Sequence, residues 1–519
     1  MRTKVLLASI ILVATGARVL GIGDQALWWG NGADEVYTLR SSLDPLESLI
    51  FPLRDNGNML AFYVIGHFWM QLLPSVPPID EFQLRLLPMV LSLLTILVVY
   101  SLTKRVASLM LLSTNAQELA AFIASLYFAI HPIAVRYAQE FRAYSLQMLA
   151  ISIATLALIR ATSREATPRQ SWLGLIIYIV FAVIGVYSHM VSALFLVPQL
   201  ILTITWLLKT GANKHAQRLA LSGTTIALAL VPLAVTVISA GHSQIDWVQE
   251  ITVKRTLSLA GSLIGAPRLV SSWHVYALIT LFALIPIMAA AIRSITAKPR
   301  SEVMLLTIFA PSVMAILAGV FVSVWVTSIW MDRYFAFLLV PIAVLVGIGC
   351  SLLAGWLLRW QLRGRLIGKL ASPAVLAFVA SFYLVNILTT FSRADERMFL
   401  QAREFRNAVI ETNRICSDPA IRFYHSRSES NLRSLVEWYG LEPNFQIPAA
   451  GRSLSMSFSG TPRGEITPVC LLFVNSNESS QILNLVADSL GFTATEWVQE
   501  FSFGREGGLA LYRVLLIDE

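Results

Sequence analysis

The chain has 519 residues, of which 56% are hydrophobic and only 13% are charged. Because so few charged residues cannot cover the surface of a soluble protein of this length, the composition predicts an integral membrane protein. The formal net charge is +8, but the Lys and Arg residues lie in short clusters between apolar segments, which argues against nucleic-acid binding.

About eleven apolar segments are long enough to cross roughly 30 Å of hydrocarbon as helices. The first, residues 5–21, is followed by no clean small-residue cleavage site, which favours an uncleaved membrane helix over a signal peptide. The other predicted spans are residues 85–103, 119–136, 143–159, 172–188, 190–208, 219–240, 273–292, 303–327, 334–358 and 370–390.

The charged residues between these segments indicate how the chain is oriented. With the N-terminus in the cytoplasm, every inner loop is rich in Lys and Arg, whereas the outer connections hold acidic residues such as Asp34 and Asp246. An odd number of spans then places the C-terminal residues outside. We therefore expect a multi-pass protein of the plasma or inner membrane, with a cytoplasmic N-terminus and an extracytoplasmic C-terminal domain.

One apolar segment, residues 57–73, does not fit this count, because it is short and contains Asn58 and His67. Counting it as a span would reverse every later loop and break the distribution of Lys and Arg. We therefore predict a helix that lies in the outer interface, where its aromatic side chains are favoured. The alternative, a true span offset by a miscounted one elsewhere, stays open.

From residue 391 onward the composition becomes that of a soluble domain. We predict a transmembrane domain at residues 1–390 and a small extracytoplasmic α/β domain at residues 391–519. The predicted strands of this second domain are residues 420–425, 468–474 and 510–516, and its predicted helices are residues 397–412, 430–439 and 480–490.

The three cysteines show neither CxxC pairing nor nearby His at ligand spacing, so no structural zinc site is expected. Cys350 lies in an apolar segment and is interpreted as a small core residue. Cys416 and Cys470 both fall in the C-terminal domain, where an oxidising environment would permit a disulfide. The sequence does not supply the geometry that would decide whether they form one.

Two adjacent carboxylates follow the first predicted span, in the segment ADEVYTLR from Ala33 to Arg40. A carboxylate in a partly desolvated cleft can be tuned to remove a proton from a hydroxyl group. Asp34 is the candidate base, with Glu35 beside it. The alternative is a solvated acidic pair without a chemical role.

A second motif, YAQEFRAYSL from Tyr137 to Leu146, lies where a short hairpin joins two predicted spans at the outer side. Ionisable groups at that boundary are costly to desolvate unless they are paired or used, and Arg holds two phosphate oxygens at once. Arg142 is therefore a candidate phosphate ligand. The alternative is an ion pair of Glu140 with Arg142 that only ends two helices.

The third motif, WMDRYFAFLLVP, places Arg333 and Tyr334 at another outer boundary, where they would either meet a phosphate or anchor the helix in the interface. His67 and His189 are predicted at the same level. Either could bind a phosphate or a sugar hydroxyl, although a lone His at an interface more often serves packing.

These three motifs in this order resemble the dolichyl-phosphate-mannose protein mannosyltransferase family and its bacterial relatives, from the N-terminus to about Val340. The resemblance implies the GT-C fold, a polyprenyl-phosphate sugar donor, inversion at the anomeric carbon and Asp34 as base, with Glu35 and Glu140 as further catalytic acidic groups. The chain departs from the family where relatives often carry His-Pro-Pro and this sequence has Asp55-Asn56-Gly57-Asn58. The expected substrate-binding residues are Asp55, Asn58, His67, Tyr137, Gln139, Arg142, Tyr144, His189, Arg333 and Tyr334.

The sequence thus predicts an inverting, mannosyltransferase-like hexosyltransferase that moves a sugar from a polyprenyl-phosphate donor to an extracytoplasmic protein, lipid or cell-envelope glycan. No nucleotide is expected, because the phosphate ester is itself the activated bond and no dinucleotide-binding or P-loop pattern occurs. The grouped acidic residues are too few to require a divalent metal, so no cofactor is predicted.

Two other functions remain open at this point. A transporter or flippase also has many spans, but its distinctive residues would lie in interrupted helices near the middle of the membrane rather than at one face. A noncatalytic scaffold would use its C-terminal domain to bind a partner, and it would tolerate the change Asp34→Asn.

Overall fold

The computed structural model describes residues 2–20, 22, 34–50, 59–73, 81–163, 165–240, 248–265, 280–281, 284–296, 302–362, 421–424, 470–473, 497–503 and 509–514. Two compact units are distinguished. The first takes its described residues from 1–20, 45–66 and 85–391, and the second from 21–44, 67–84 and 392–519.

The described helices follow the chain in this order. They are α1 (Arg2–Val19), α2 (Asp34–Leu43), α3 (Leu46–Ile50), α4 (Leu60–Leu72), α5 (Glu81–Leu109), α6 (Thr114–Ile130), α7 (Pro132–Ala138), α8 (Tyr144–Ala161), α9 (Pro168–Ser188), α10 (Ala193–Lys209), α11 (Asn213–Ala240), α12 (Val253–Leu263), α13 (Ile285–Thr296), α14 (Glu302–Met304), α15 (Ala310–Trp325) and α16 (Leu339–Leu362). Short 3-10 turns precede α10 (Met190–Ser192) and α16 (Ala336–Leu338), and a π-helical turn (Leu305–Phe309) joins α14 to α15.

Seven helices within the described ranges are long and apolar enough to cross a membrane, and they identify a multi-pass membrane protein. They contain α5, α8, α9, α10, α11, α15 and α16. The prediction of about eleven spans is confirmed only in part. The first predicted span is the helix α1, which carries Arg2, Lys4 and Arg18 and is not among the seven. Only a 12-residue helix, α13, is described near residues 273–292, and residues 370–390 lie outside the described part.

The predicted span 119–136 is not one straight helix but the pair α6 and α7, which meet at a bend of 58°. Pro132 begins α7, and proline is tolerated there because the first helical residue needs no backbone donor. His131 caps α7, since its Nδ1 accepts a hydrogen bond from the Ile133 N–H at 3.2 Å. The local sequence therefore ends one helix and starts another inside a continuous apolar segment.

Close packing of small residues joins α16 to α6. A Cβ atom on Gly347 would lie 2.3 Å from the carbonyl oxygen of Ala120, so this position of α16 accommodates glycine only. One turn later, the Ser351 hydroxyl donates to the Ala116 carbonyl at 2.8 Å. Small residues and buried hydroxyl groups are what membrane helices use to approach closely, because lipid supplies no hydrophobic drive between them. The helix α8 is buried along nearly its whole length.

The apolar segment around residues 57–73 forms α4, a helix of 13 residues. At 1.5 Å per residue such a helix is about 20 Å long, which is shorter than the hydrocarbon of a bilayer. The structure therefore contains the predicted helix, and this helix is too short to cross the membrane. Its position in the outer interface stays a prediction.

Four strands are described in the C-terminal residues: β1 (Ile421–Tyr424), β2 (Cys470–Phe473), β3 (Trp497–Phe503) and β4 (Leu509–Val514). They form one sheet in the order β1-β2-β4-β3, in which β1 and β2 are parallel and the other two pairs are antiparallel. The three predicted strands coincide with β1, β2 and β4, whereas β3 was not predicted. The three predicted helices and Cys416 lie outside the described residues, and the domain boundary at residue 390 stays a proposal.

Candidate functional site

The hairpin between α7 and α8 carries the residues of the second motif, and all of it is buried. The chain turns tightly, since the Arg142 N–H donates to the Glu140 carbonyl at 2.7 Å, and the Ser145 hydroxyl donates to the Tyr137 carbonyl at 2.8 Å. Phe141, at the tip of the hairpin, packs its ring edge-on against the ring of Phe62 of α4, with 5.2 Å between the ring centroids. This packing holds Glu140 and Arg142, each 7% exposed, in defined positions.

Glu140 forms an ion pair with Arg136 of α7, whose Nε is 2.8 Å from Oε1. The alternative pair considered from the sequence, Glu140 with Arg142, is not the ion pair that the structure records. Arg136 was missed by sequence reasoning, although its i,i+4 spacing from Glu140 is a recognisable signal. The Asp332 carboxylate also acts electrostatically on Arg136 and on Tyr137. Arg136 therefore lies near two carboxylates, those of Glu140 and Asp332, beside the hairpin.

His189 lies between two tyrosine rings at the junction of α9 and α10. Its ring centroid is 5.9 Å from that of Tyr144, in a stacked arrangement, and 4.9 Å from that of Tyr334. Tyr144 in turn contacts Tyr137 at 4.4 Å between ring centroids. Three of the predicted site segments, the hairpin, the α9–α10 junction and the segment before α16, are therefore brought together by one chain of aromatic contacts.

Two guanidinium groups accompany this aromatic chain. Cζ of Arg142 is 5.9 Å from the Tyr144 ring centroid, and Cζ of Arg333 is 5.4 Å from that of Tyr334. Burial, together with the positive charges of Arg142 and Arg333, lowers the pKa of His189 to about 3. The imidazole is therefore neutral at physiological pH.

A helix N-terminus adds to the positive character of this site. Tyr144 begins α8, a helix of 18 residues, and the preceding residue, Ala143, has no side chain that can accept a hydrogen bond from the first turn. Unsatisfied amide groups and the helix dipole make such a terminus attractive to anions. We name the group of Arg142, Tyr144, His189, Arg333 and Tyr334 the histidine cluster.

Asp34 and Glu35 belong to the second unit and start α2, where acidic residues are favoured by the helix dipole. Asp34 is partly exposed, whereas Glu35 is only 3% exposed. The Thr38 hydroxyl donates to the Asp34 carbonyl at 3.0 Å, one turn along the helix. The two predicted carboxylates thus occupy the first turn of one helix.

His67, also in the second unit, uses both ring nitrogens in contacts with neighbouring residues. Nδ1 is 3.1 Å from the Ser42 carbonyl oxygen and Nε2 is 2.9 Å from the Gln71 side-chain amide nitrogen. These bonds connect the end of α2 with α4 and give the ring a structural role.

Gln139 likewise has a structural task. Its side-chain amide donates to the carbonyls of Arg18 at 3.0 Å and Leu20 at 2.8 Å, so it satisfies backbone acceptors where α1 ends. Asp55 and Asn58 lie outside the described residues. Within the ranges that the structure describes, no three His, Cys, Asp or Glu side chains are grouped in a way that could hold a metal ion.

Comparison with known proteins places this geometry in context. Residues 65–237 match the family described as dolichyl-phosphate-mannose-protein mannosyltransferase, a segment that includes the hairpin and His189 but neither Asp34 nor Arg333. The search of curated proteins found no match. The resemblance to this family that the sequence motifs indicated is thereby confirmed.

Solved structures extend the similarity to nearly the whole chain. ArnT from Cupriavidus metallidurans in the apo state is 11% identical, with a TM-score of 0.58, over 99% of this chain and 98% of that one. The same protein bound to undecaprenyl phosphate gives a TM-score of 0.56 at 11% identity, over 98% and 97%. The oligosaccharyltransferase AglB from Archaeoglobus fulgidus, in complex with an inhibitory peptide and a dolichol-phosphate, gives 0.53 at 15% identity, over 88% of this chain and 62% of that one. The chain therefore has the GT-C fold.

Proposed function

We propose that the protein is a membrane glycosyltransferase that transfers a sugar from a polyprenyl-phosphate-linked donor to an acceptor on the extracytoplasmic side, with inversion at the anomeric carbon. The observation that carries the proposal is the histidine cluster, in which the buried imidazole of His189 packs against two tyrosine rings, each of which also contacts a guanidinium group, beside the N-terminus of α8. A lipid-bound phosphate is the anion that such a group suits, because Arg binds phosphate oxygens in pairs.

Two of the similar structures support a lipid phosphate as ligand. ArnT was solved with undecaprenyl phosphate, and AglB with a dolichol-phosphate and a peptide. The matched family takes its name from dolichyl-phosphate-mannose, which is a sugar on the same kind of carrier. In our proposal Arg142 and Arg333 bind the donor phosphate, while Tyr137, Tyr144 and Tyr334 supply aromatic surface for the sugar or the first isoprene units.

Asp34 is the proposed base that removes the proton from the acceptor hydroxyl, with Glu35 as its neighbour. Glu140 has a different part in this proposal, because its carboxylate is already engaged by the guanidinium group of Arg136. We assign Glu140 to orienting the acceptor or the hairpin rather than to proton removal. The acceptor itself is a protein, a lipid or a cell-envelope glycan.

The proposed orientation places the N-terminus in the cytoplasm and the C-terminal sheet outside, in agreement with the basic inner loops. The hairpin, His189 and Arg333 then share the outer face of the membrane. A donor that presents its phosphate to that face needs no nucleotide, since the phosphate ester bond already activates the sugar.

Cells that lack the gene provide the test, after complementation with the unchanged protein, with Asp34→Asn or with Asp44→Asn. Asp44 is a matched control because it lies just beyond the other end of the same helix, α2. Mass analysis of envelope glycans and glycoproteins should show a sugar that is absent without the gene and with Asp34→Asn, but present with Asp44→Asn.

Two results of this experiment would contradict the proposal at different levels. An envelope with unchanged composition in cells without the gene would argue against glycosyl transfer. A restored sugar with the folded Asp34→Asn protein would reject Asp34 as the base and leave the activity intact.

A further inference from the structure

His189 is a buried polar group that the fold itself does not satisfy. Its side chain is 1% exposed, and among the described residues neither ring nitrogen has a hydrogen-bond partner. A neutral imidazole carries one N–H donor and one acceptor nitrogen. A buried donor or acceptor without a partner destabilises the folded protein, so a site that retains one calls for a ligand that completes it.

The neighbours of His189 decide which ligand would complete it. Arg142 and Arg333 act on the imidazole electrostatically, and the N-terminus of α8 begins at the adjacent Tyr144. Two guanidinium groups from distant segments, together with a helix N-terminus, favour an anion with several oxygens arranged around one centre. A phosphate has this form, whereas a carboxylate offers only two oxygens.

We propose that the histidine cluster is built for the phosphate of the departing carrier lipid, and that an N–H of His189 donates to one of its oxygens. This inference rests on the proposed function. In the donor, the phosphate is a diester with one negative charge. When the bond from the anomeric carbon to the phosphate oxygen breaks, the electron pair stays on that oxygen and leaves a polyprenyl phosphate monoester with up to two negative charges.

The rest of the reaction balances this change. The acceptor oxygen forms the new bond to the anomeric carbon, and its proton passes to the carboxylate of Asp34. Because charge develops on the phosphate during the reaction, donors and cations around it interact more strongly with the transition state than with the donor lipid. The same groups bind the monoester product more tightly than the diester, so the carrier lipid should inhibit the enzyme.

Binding of two short-chain probes tests the inference. Farnesyl phosphate is a monoester like the product, and farnesyl methyl phosphate is a diester like the donor. Calorimetry on the purified, detergent-solubilised full chain should show that the monoester binds at least about tenfold more tightly. His189→Phe keeps a ring between Tyr144 and Tyr334 but removes the N–H, and should lose most of that preference.

Two further variants serve as controls for this experiment. His189→Asn keeps an N–H donor and should retain part of the preference. His131→Asn changes another buried histidine, which caps α7, and asparagine is a good helix cap, so this variant should behave as the unchanged protein. In a transfer assay, His189→Phe should lower kcat by about 10²-fold, a typical loss for one donor to a developing oxyanion, with a smaller change in KM.

The possible outcomes separate the inference from the function on which it rests. Equal binding of both probes by the unchanged protein, or an undiminished preference in folded His189→Phe, would overturn the inference alone. Failure of the unchanged protein to bind either probe would contradict the phosphate site of the proposed function as well.

Discussion

Phe335 occupies the space that a side chain at Gly319 would need, since a Cβ atom on Gly319 would lie 2.4 Å from Cζ of Phe335. Phe335 is fully buried and also contacts Trp330 edge-on at 5.2 Å between ring centroids. It directly follows Arg333 and Tyr334 in the chain. The glycine on α15 therefore permits the packing that holds these two residues of the histidine cluster.

We expect Gly319→Ala to displace Phe335 and to cost about 1–3 kcal/mol in the free energy of unfolding, as overpacking usually does. The displacement should also weaken binding of farnesyl phosphate. Gly355→Ala on α16 is the matched control, because nothing lies within 4 Å of a Cβ atom built there. Thermal unfolding in detergent and probe calorimetry measure both effects. If Gly319→Ala and Gly355→Ala behave alike, the proposed support of Arg333 by Phe335 is wrong.

The ion pair of Arg136 with Glu140 is partly buried and should therefore increase the free energy of unfolding. The Glu140 side chain is 10% exposed and that of Arg136 is 40% exposed. Arg136→Gln removes the Arg136 cation from beside the Glu140 carboxylate, and we expect the free energy of unfolding to fall by about 1–3 kcal/mol. Glu140→Gln in the same background should recover part of this loss, because it removes the negative charge that Arg136 faced. Thermal unfolding of the two single variants and the double variant gives the interaction free energy between Arg136 and Glu140. Losses of unfolding free energy that simply add in the double variant would contradict a direct ion pair.

Gln199 should stabilise the bundle where the π-helical turn before α15 displaces backbone hydrogen bonds. Its side-chain amide donates to the Thr307 carbonyl at 2.7 Å and to the Thr155 hydroxyl at 3.1 Å. Hydrogen bonds between membrane helices contribute about 0.5–2 kcal/mol, so Gln199→Met should cost an amount in this range. Thr205→Val, an exposed position on the same helix, should have no measurable effect. Equal unfolding temperatures for the two variants would argue against a role for Gln199.

The buried imidazole of His189, between α9 and α10, predicts how stability depends on pH. Burial, and then the charges of Arg142 and Arg333, lower its pKa from 6.5 to about 3, while the facing rings of Tyr144 and Tyr334 carry no charge in this range. Between these two values the unfolded chain binds a proton that the folded chain does not. The free energy of unfolding should therefore fall as the pH drops below about 6.5, by up to about 1.4 kcal/mol per pH unit.

Comparison of the unchanged protein with His189→Phe isolates this contribution, because phenylalanine binds no proton. Unfolding temperatures measured from about pH 7.5 to about pH 5.5 should fall more steeply for the unchanged protein. Parallel curves for the two proteins would mean that His189 titrates in the folded state as it does in the unfolded chain, and would contradict this prediction.

Most of the membrane helices could be predicted from hydropathy, because a helix that crosses the bilayer must be about 20 residues long and mostly apolar, and both properties belong to one continuous segment of sequence. The start of α9 is equally local, since Thr167 and Gln170 form a capping box, with bonds of 3.3 Å and 3.0 Å between side chain and backbone. The bend between α6 and α7 could also have been predicted from Pro132, because proline favours the first position of a new helix. The strand β3 was also missed, because apolar and polar residues alternate only over its last four residues, EFSF, and its pairing with β4 shifts register between Gln499 and Phe501.

The histidine cluster could be predicted only as a set of separate candidates. His189 and Tyr334 meet although they lie far apart in the chain, and no periodicity within either segment encodes that contact. The close approach of Gly319 to Phe335 is likewise a property of the packed bundle. Gln139 and His67 were predicted to bind substrate because their side chains are polar. In the structure each side chain instead contacts a backbone carbonyl near the end of a helix, that of Arg18 for Gln139 and that of Ser42 for His67.

Consumption of a lipid-linked sugar by the purified protein is the most direct measurement of whether such a lipid is the sugar donor. Membranes from cells that lack the gene contain both the unused donor and the unused acceptor, so purified protein can be added to them without knowing either in advance. Mass spectrometry of the extracted lipids should show that the unchanged protein and Asp44→Asn convert a polyprenyl-phosphate sugar to polyprenyl phosphate, whereas Asp34→Asn does not. If the folded, unchanged protein leaves every polyprenyl-phosphate sugar at its starting level, the account is contradicted.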